Sequence, residues 1–337
     1  PIYIERGILK KLGDEIKKIY NNKKIAVVTD SIVEKLYADN VKETLEKSGF
    51  EVKIISFEAG EESKNVNTLL KVYDELLDFE IHRGNLIIAL GGGVVGDLCG
   101  FAAATLFRGI PFVQIPTTIL AQVDSSVGGK VAVDLKRGKN LIGNFYHPKA
   151  VFIDPDVLDT LSDKILSDGM AEVIKYGAIK DKDLFDSLMG FKDREELFKN
   201  IEKVIYTCCS IKKDVVEKDE KDTGERMLLN FGHTIGHAIE KIYNYKTYTH
   251  GEGVAIGMYA MTEYSEREGI TEKGTAEKIK NILIKYNLPY EMPKVNRDDM
   301  LKAIKLDKKN IGKNMHIILL NRIGESFVKE TSKEDFI

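Results

Sequence analysis

The chain has 337 residues, 43% of them hydrophobic, with 50 Lys and Arg against 53 Asp and Glu for a formal charge of -3. Its apolar content excludes a disordered chain, and interspersed charge of both signs excludes the one-sided basic surface of a nucleic-acid binder; the length predicts two domains and a small-molecule partner. The three cysteines, Cys99, Cys208 and Cys209, form neither a CxxC pair nor an even framework, which fits a reducing cytosol and a cytoplasmic location.

The opening PIYIERG has no basic segment followed by an apolar run, so no secretory leader is expected, and the missing initiator Met suggests a trimmed start. Residues 86–107, LIIALGGGVVGDLCGFAAATLF, form the one stretch near the roughly 20 apolar residues of a membrane span. That reading fails: Asp97 would sit near the bilayer centre at a cost of about 2.5–3.5 kcal/mol, and the glycine cluster marks a backbone turn. No membrane partner is expected.

From Lys24 the pattern alternates: IAVVTD as a strand, 31–48 as a helix, FEVKIISF as a strand, 65–80 as a helix, NLIIAL as a strand, with PFVQIP as one more. Near-continuous apolar strands between amphipathic helices predict a doubly wound parallel sheet covered on both faces, with ligands at the carboxyl ends of its strands. After FIDP at 152–155 the β-branched runs give way to helical periodicity over 157–189, 194–218, 226–243, 251–268 and 274–286. The expected organisation is an α/β nucleotide-binding domain over 1–155 and a mainly α-helical metal- and substrate-binding domain over 156–337. MHIILLNRIGESFVKE reads as a terminal hairpin turning at Gly324.

Three constellations could carry chemistry. Gly91, Gly93 and Gly96 make a GxGxxG between a strand and a helix, where glycines admit a pyrophosphate to the backbone and the helix N-terminus offers unpaired N–H groups. The same glycines would also serve a plain strand-to-helix turn. The acid that usually holds a ribose is absent from the end of PFVQIP, so Asp30 of VVTD and Glu61 with Lys64 of GEESK become candidates for adenosine and ribose contacts.

The second constellation is metal-like. His233 and His237, in FGHTIGHAIE, share a helix face; His250 opens HGE, and His147 stands apart in NFYHP. With Glu172 of GMAEVIK these offer the nitrogen and oxygen donors of a catalytic zinc site, against the alternative of a buried, hydrogen-bonded histidine cluster. A zincin peptidase is excluded because its HExxH helix needs Glu where this chain has Thr234.

The third is a set of cations and amides, Arg108, Lys130, Lys139, Asn140, Lys175, Lys212, Arg226 and Asn230, several in glycine-rich or apolar settings such as SSVGGK and KNLIGNF. They suit a substrate anionic at both ends, a phosphate and a carboxylate, and Arg226 suits bidentate carboxylate recognition.

Through GGGVVGDLCGFAAATLFRGI, IPTTILAQVDSSVGGKVAVD, GKNLIGNFYHP, GMAEVIKYG, LLNFGHTIGHAIE and HGEGVAIGM the chain resembles the 3-dehydroquinate synthases over residues 24–325. The resemblance implies a nucleotide-binding domain, a helical domain, an active site in their cleft and a homodimer. It also implies that Glu172, His233 and His250 bind zinc or cobalt while His237 faces the substrate, which replaces the ligand pair that the i, i+4 spacing suggests. NAD would contact Asp30, Glu61, Lys64, Gly92, Gly93, Asp97, Thr117, Thr118, Asp124 and Lys139. Substrate would contact Lys130, Asn140, Lys175, Lys212, Arg226, Asn230 and His237, with Arg108 entering from the neighbouring subunit. A further lysine is implied at Lys308 or Lys309. The family's DExE segment reads DEKD here, ending in Asp222.

The implied substrate is 3-deoxy-D-arabino-heptulosonate 7-phosphate, converted to 3-dehydroquinate and phosphate by transient NAD oxidation at C5, phosphate elimination, re-reduction and intramolecular aldol closure. The nearest competing readings are a polyol dehydrogenase of the glycerol dehydrogenase type, whose substrate has no anion for Arg226, Lys212 and Lys130, and a related cyclase making a 2-deoxyinosose or valiolone ring, whose substrate lacks the carboxylate. A non-catalytic nucleotide-binding module would need no metal triad.

Overall fold

The computed structural model describes residues 1–222, 224–305 and 314–332. Two compact units, Pro1–Leu161 and Ser162–Ile337, divide the chain.

The first unit is built on ten-residue-scale alternation of strand and helix. Its strands are β1 (Ile2–Ile4), β2 (Lys24–Asp30), β3 (Glu51–Phe57), β4 (Leu86–Gly91), β5 (Phe112–Pro116), β6 (Lys130–Leu135), β7 (Gly138–Phe145) and β8 (Ala150–Ile153). Six of them form one sheet in the order β1-β8-β5-β4-β2-β3, with every pairing parallel. The uninterrupted apolar runs have a direct cause: Ala26, Val28, Ile87 and Ala89 face one buried cluster, while Ile25, Val27, Leu86, Ile88 and Leu90 face another. A sheet covered on both faces has no polar side to encode.

Because β3 and β4 leave β2 on opposite sides, the strand order reverses between β2 and β4. Ligands of doubly wound sheets bind outside the carboxyl ends at such a switch point. Asp30 ends β2, Gly91 ends β4, and Thr117 follows β5.

The sequence reading does not single out the antiparallel hairpin of β6 and β7, nor β1 and β8 at the sheet's far edge. β1 and β8 are short and β7 is largely exposed, so their hydrophobic pattern is weak; β6 is as long as β4, with Val131, Ala132 and Val133 buried.

The second unit is mainly helical and carries a two-stranded antiparallel hairpin, β9 (Asn314–Arg322) and β10 (Glu325–Ser332), turning at Gly324. Its main helices are Asp163–Lys180, Lys182–Gly190, Ile201–Lys218, His233–Ile242, His250–Arg267 and Thr275–Lys285. Three expected helical stretches are broken in the structure. The span 157–189 is a 3-10 turn, Pro155–Thr160, followed by the helices Asp163–Lys180 and Lys182–Gly190. The span 226–243 is a 3-10 turn, Glu225–Asn230, followed by the helix from His233; Gly232 between them has φ 79°, a left-handed conformation that an L side chain disfavours and that redirects the chain. The span 194–218 breaks at Asn200 into Arg194–Lys199 and Ile201–Lys218. A further helix, Arg297–Lys305, falls after the last expected one. Lys308 and Lys309 lie outside the described residues. No helix among the described residues is long and apolar enough to cross a membrane.

Candidate functional site

In the second unit, the helix from Asp163 to Lys180 carries Glu172 and Lys175 on adjacent turns, both with almost no exposure. The helix from His233 carries His233 and His237, and the helix from His250 begins with the third histidine.

Local sequence fixes where that third histidine falls. Thr249 is the N-cap: its side chain accepts the Glu252 N–H, and Glu252 Oε2 accepts the Thr249 N–H at 2.8 Å, a reciprocal capping box that starts the helix at His250. Asp168 Oδ1 also accepts the Gly251 N–H at 2.6 Å. Asp168 sits one turn before Glu172, so this bond sets the helix start beside the carboxylate. A Cβ on Gly251 would lie 2.0 Å from the Asp168 carbonyl oxygen, which only glycine avoids.

The second close approach holds the two histidine helices together. A Cβ on Gly257 would lie 2.0 Å from the Gly232 carbonyl oxygen, and one on Gly236 would lie 2.8 Å from the Gly253 carbonyl carbon. Small residues here let the backbones touch.

The convergence is tight. Glu172 Oε1 lies 3.3 Å from His233 Nε2 and 3.2 Å from His250 Nε2. One ligand atom from each of the three falls within 4.8 Å of the others. A tetrahedral zinc with nitrogen and oxygen ligands at about 2.0–2.2 Å places those atoms about 3.3–3.6 Å apart, so two of the separations already match. The ring centroids of His233 and His237 are 5.3 Å apart and those of His237 and His250 6.0 Å.

Charge reinforces the geometry. Burial acts to raise the Glu172 pKa, but the Lys175 ammonium paired with its Oε2, and the two histidines, hold the carboxyl well below its usual range. His233 is pushed down to about 4, chiefly by burial, against the opposing pull of Glu172. His250 is likewise buried, yet Glu172 and Glu240 together raise it to about 10. The two imidazoles share one carboxylate oxygen and shift oppositely because only His250 has a second carboxylate, Glu240, with Oε2 3.5 Å from its Nδ1. His233 Nδ1 instead faces the Phe231 carbonyl at 3.1 Å. Both histidines thus turn Nε2 toward Glu172 and hold Nδ1 against an acceptor. A divalent cation held here would meet a carboxylate whose pKa is already well below its usual range.

Three further expected residues, Lys175, Lys212 and Arg226, are buried in this unit. Arg226 opens a 3-10 turn, its Nη1 donating to the Glu220 carbonyl at 2.5 Å and its backbone N–H to Asp219 Oδ2 at 3.0 Å. Asn230 closes that turn. Asp222 has φ 63°, a left-handed backbone in which Asp is among the better tolerated residues.

In the first unit the glycine loop caps a helix: Gly92 is the N-cap of Gly93–Thr105, with Gly93 N–H among the first-turn donors that have no partner within the helix. A Cβ on Gly96 would press within 3.0 Å of Gln114 Oε1 on β5, so this glycine serves the close helix-to-strand packing of the dinucleotide fold. The Thr29 and Thr117 hydroxyls, at the carboxyl ends of β2 and β5, are buried with no hydrogen-bond partner among the described residues. Such orphaned hydroxyls suit a polar ligand at that edge.

The other expected nucleotide contacts gather nearby in that unit. Lys64 is buried with its Nζ 2.5 Å from Asp97 Oδ2, and Lys139 Nζ lies 3.7 Å from Glu61 Oε1. Burial opposes the Lys64 charge, but Asp97 and Glu61 outweigh it and raise its pKa. Asp124 lies in a π-helical turn, Ala121–Ser125, directly after Thr117 and Thr118. Asp30 does more than the sequence reading assigned: its Oδ1 accepts the Ile32 and Val33 N–H groups at 2.9 and 3.0 Å as a helix N-cap. Lys130, Asn140 and Arg108 are exposed. Asn140 and Arg108 both have positive φ, 53° and 65°, and Phe107 before Arg108 has φ 51°. Arg83 holds this strained turn, its Nη2 and Nε donating to the Phe107 carbonyl at 2.6 and 3.0 Å. His147 lies in the first unit, whereas His233, His237 and His250 lie in the second.

Residues 54–168 match the family model for the 3-dehydroquinate synthase N-terminal region and residues 169–310 that for its C-terminal region. A 3-dehydroquinate synthase of Clostridium botulinum is 59% identical over 335 residues, 99% of this chain and 96% of that protein. This chain belongs to the 3-dehydroquinate synthase family. The solved structures that share its fold include two with NAD+ and a metal bound. One is 2-epi-5-epi-valiolone synthase from Streptomyces hygroscopicus with NAD+ and Zn2+ bound, with a TM-score of 0.90 and 25% identity over 99% of this chain and 94% of that one. The other is 2-deoxy-scyllo-inosose synthase with carbaglucose-6-phosphate, NAD+ and Co2+, with a TM-score of 0.86, 27% identity and the same coverage.

Sequence reasoning missed Asp168, Glu240 and the Thr249–Glu252 box. The box alone had a readable signal, the T-x-x-E spacing of THGE at 249–252. Glu240 is three residues beyond His237, so helical spacing put it on the histidine face, but nothing in the sequence said that its partner would be His250 on another helix.

Proposed function

We propose that this chain converts 3-deoxy-D-arabino-heptulosonate 7-phosphate to 3-dehydroquinate and phosphate, as a carbon–oxygen lyase of the shikimate route to aromatic amino acids. The observation that carries this reading is the buried set of Glu172, His233 and His250 at metal-ligand spacing, in a chain 59% identical to a 3-dehydroquinate synthase. Glu172, His233 and His250 would hold Zn2+ or Co2+, and the carboxyl edge of the sheet would hold NAD.

When bound, the ion supplies Lewis-acid polarisation of a substrate hydroxyl and NAD supplies a reversible hydride acceptor. The chain's own residues do the rest. Lys175 keeps Glu172 ionised, and its buried charge with those of Lys212 and Arg226 attracts a doubly anionic substrate. Arg226 recognises the carboxylate as a planar fork. His237, beside the metal ligands, holds or moves a proton at the phosphate end. Asn230, Asn140 and Lys130 orient the polyol. In the first unit Gly92 and Gly93 admit the pyrophosphate, Thr117 and Thr118 line it, and Asp30, Glu61, Lys64, Asp97, Asp124 and Lys139 hold the adenosine and ribose portions. These assignments follow the family motifs residue by residue.

The test supplies the heptulosonate phosphate with trace NAD and follows phosphate and NADH together. Phosphate released should greatly exceed NADH accumulated; stoichiometric NADH in solution would make the chain a dehydrogenase and end this reading. No phosphate from the heptulosonate, with phosphate released instead from a sugar phosphate that lacks the carboxylate, would favour one of the related cyclases.

A cytoplasmic homodimer completes the proposal, with Arg108 serving the neighbouring subunit's site. Its exposure and its left-handed backbone, held through Phe107 by Arg83, support that role. Arg108→Ala and Lys175→Ala chains, each inactive alone, should regain activity when co-assembled; mixtures that stay inactive would place Arg108 in its own site.

A further inference from the structure

Glu240 is a buried acid that the proposed reaction does not use. It lies on the helix His233–Ile242, one turn beyond His237, and is 2% exposed. Burying a carboxylate is unfavourable unless a partner compensates it, so its placement calls for a reason. Its Oε2 faces His250 Nδ1 at 3.5 Å, while Nε2 of the same ring faces Glu172 Oε1 at 3.2 Å. The imidazole is therefore held along its whole length between two carboxylates, one at each nitrogen. His233 is held in the same sense, with Nε2 toward Glu172 at 3.3 Å and Nδ1 toward the Phe231 carbonyl at 3.1 Å. One histidine takes its outer acceptor from the main chain of its own helix entry; the other takes it from a side chain on a different helix.

We propose that Glu240 is a positioning residue which orients His250 through Nδ1, fixing Nε2 as the metal-facing nitrogen. A ligating histidine that donates its other N–H to a carboxylate has its tautomer and ring angle set and its basicity raised. The inference rests on reading Glu172, His233 and His250 as the metal ligands. It also accounts for the packing between the two helices: Gly236 against Gly253 brings Glu240's helix close enough for the side chain to reach His250. His237, Glu240 and His250 also lie close enough together to ligate an ion themselves. A second ion on Nδ1 would require His250 to bridge two metals as an imidazolate. The direct facing of Glu240 and His250 favours orientation instead.

The experiment measures Zn2+ affinity and stoichiometry of the full-length protein by competition with a chromogenic chelator, with the visible spectrum of the Co2+-loaded protein as the second readout. Glu240→Leu, which removes the acceptor, should weaken Zn2+ binding about 10- to 100-fold and alter the Co2+ absorption bands. Glu240→Gln keeps an acceptor oxygen without the charge, so it should recover part of that affinity and most of the Co2+ spectrum, a rescue that simple core packing would not produce. Should Glu240→Leu fail to fold, Glu240→Gln decides alone: a severalfold weaker Zn2+ affinity supports the role. Wild-type affinity and spectrum in each variant that folds would overturn it. So would two Zn2+ per wild-type chain falling to one in the variants, which would make Glu240 a ligand. His233→Ala separates the two readings: if it binds Zn2+ like the wild type, the ligand set itself is wrong, whatever Glu240 does.

Discussion

The two units build their sites by opposite means. The first relies mostly on backbone, a glycine loop at a helix N-terminus and the carboxyl ends of parallel strands, with a few short hydroxyls and one buried ion pair, Lys64 with Asp97. The second arranges buried charged side chains, with Glu172, Lys175, Lys212, Arg226 and Glu240 all nearly without exposure. A backbone site is tolerant, because its donors are present in any sequence that keeps the turn. A site of buried charges is not, because removing one partner leaves the others desolvated and uncompensated. Substitutions in the second unit should therefore cost far more than those at the nucleotide edge.

The largest expected effect is at His233. His233→Ala removes a metal ligand, so bound zinc should fall to background and hydride transfer and phosphate elimination should vanish together. His237→Ala, one helical turn away, should keep its zinc and slow phosphate processing by about 10²- to 10⁴-fold, as expected for loss of a positioned proton donor or acceptor. Metal analysis of both purified variants, with circular dichroism to verify folding, checks the pair. Zinc lost from His237→Ala and retained by His233→Ala would reverse the ligand assignment.

Next comes Arg226→Lys, which keeps charge and loses the fork. Arg226 donates through Nη1 to the Glu220 carbonyl, and one lysine ammonium cannot serve that carbonyl and both oxygens of a carboxylate. Steady-state kinetics should show most of kcat/KM lost. An unimpaired variant would reduce Arg226 to a brace for its own turn.

The same contrast explains what the sequence disclosed. The parallel sheet and glycine loop are local patterns: β2 and β4 are apolar on both faces, and Gly91, Gly93 and Gly96 follow β4 at fixed spacing. Most helices were equally legible, Arg297–Lys305 excepted, but helix ends were not, because the break at Gly232 depends on a left-handed turn inside a continuous helical pattern. The candidate metal centre shows in the sequence as residue types, but the contacts among those residues do not follow their spacing. The i, i+4 pair His233 and His237 looks like two ligands, whereas the atoms that meet Glu172 Oε1 belong to His233 and His250, on helices brought together by Gly232 and Gly257. Family resemblance supplied that pairing; periodicity could not, since it carries no information about contacts between helices.

Gly257→Ala tests that packing with a single methyl group. Its Cβ would overlap the Gly232 carbonyl oxygen, a backbone atom that cannot swing away. Overpacking of this kind costs about 1–3 kcal/mol, so the melting temperature should fall by several degrees in calorimetry, and zinc should bind more weakly as the two histidine helices part. A destabilised protein with unchanged zinc affinity would show that the close approach serves the fold alone.

The smallest effect should come from the nucleotide edge, where one residue has two roles to separate. Asp30 caps the helix that follows β2, accepting two N–H groups through Oδ1, and the family motifs also place it against the adenosine portion of NAD. Asn is as good an N-cap as Asp, whereas Ala is a poor one whose introduction costs about 1 kcal/mol. Asp30→Asn should therefore melt like the wild type, while Asp30→Ala should melt a few degrees lower. Both remove the charge, so both should raise the NAD dissociation constant, measured calorimetrically, by a similar modest factor. If Asp30→Asn binds NAD normally and only Asp30→Ala binds it weakly, the carboxylate acts on the cofactor solely by holding the helix start. The nucleotide edge would then rest on backbone at one more point, which would sharpen its contrast with the buried charges of the second unit.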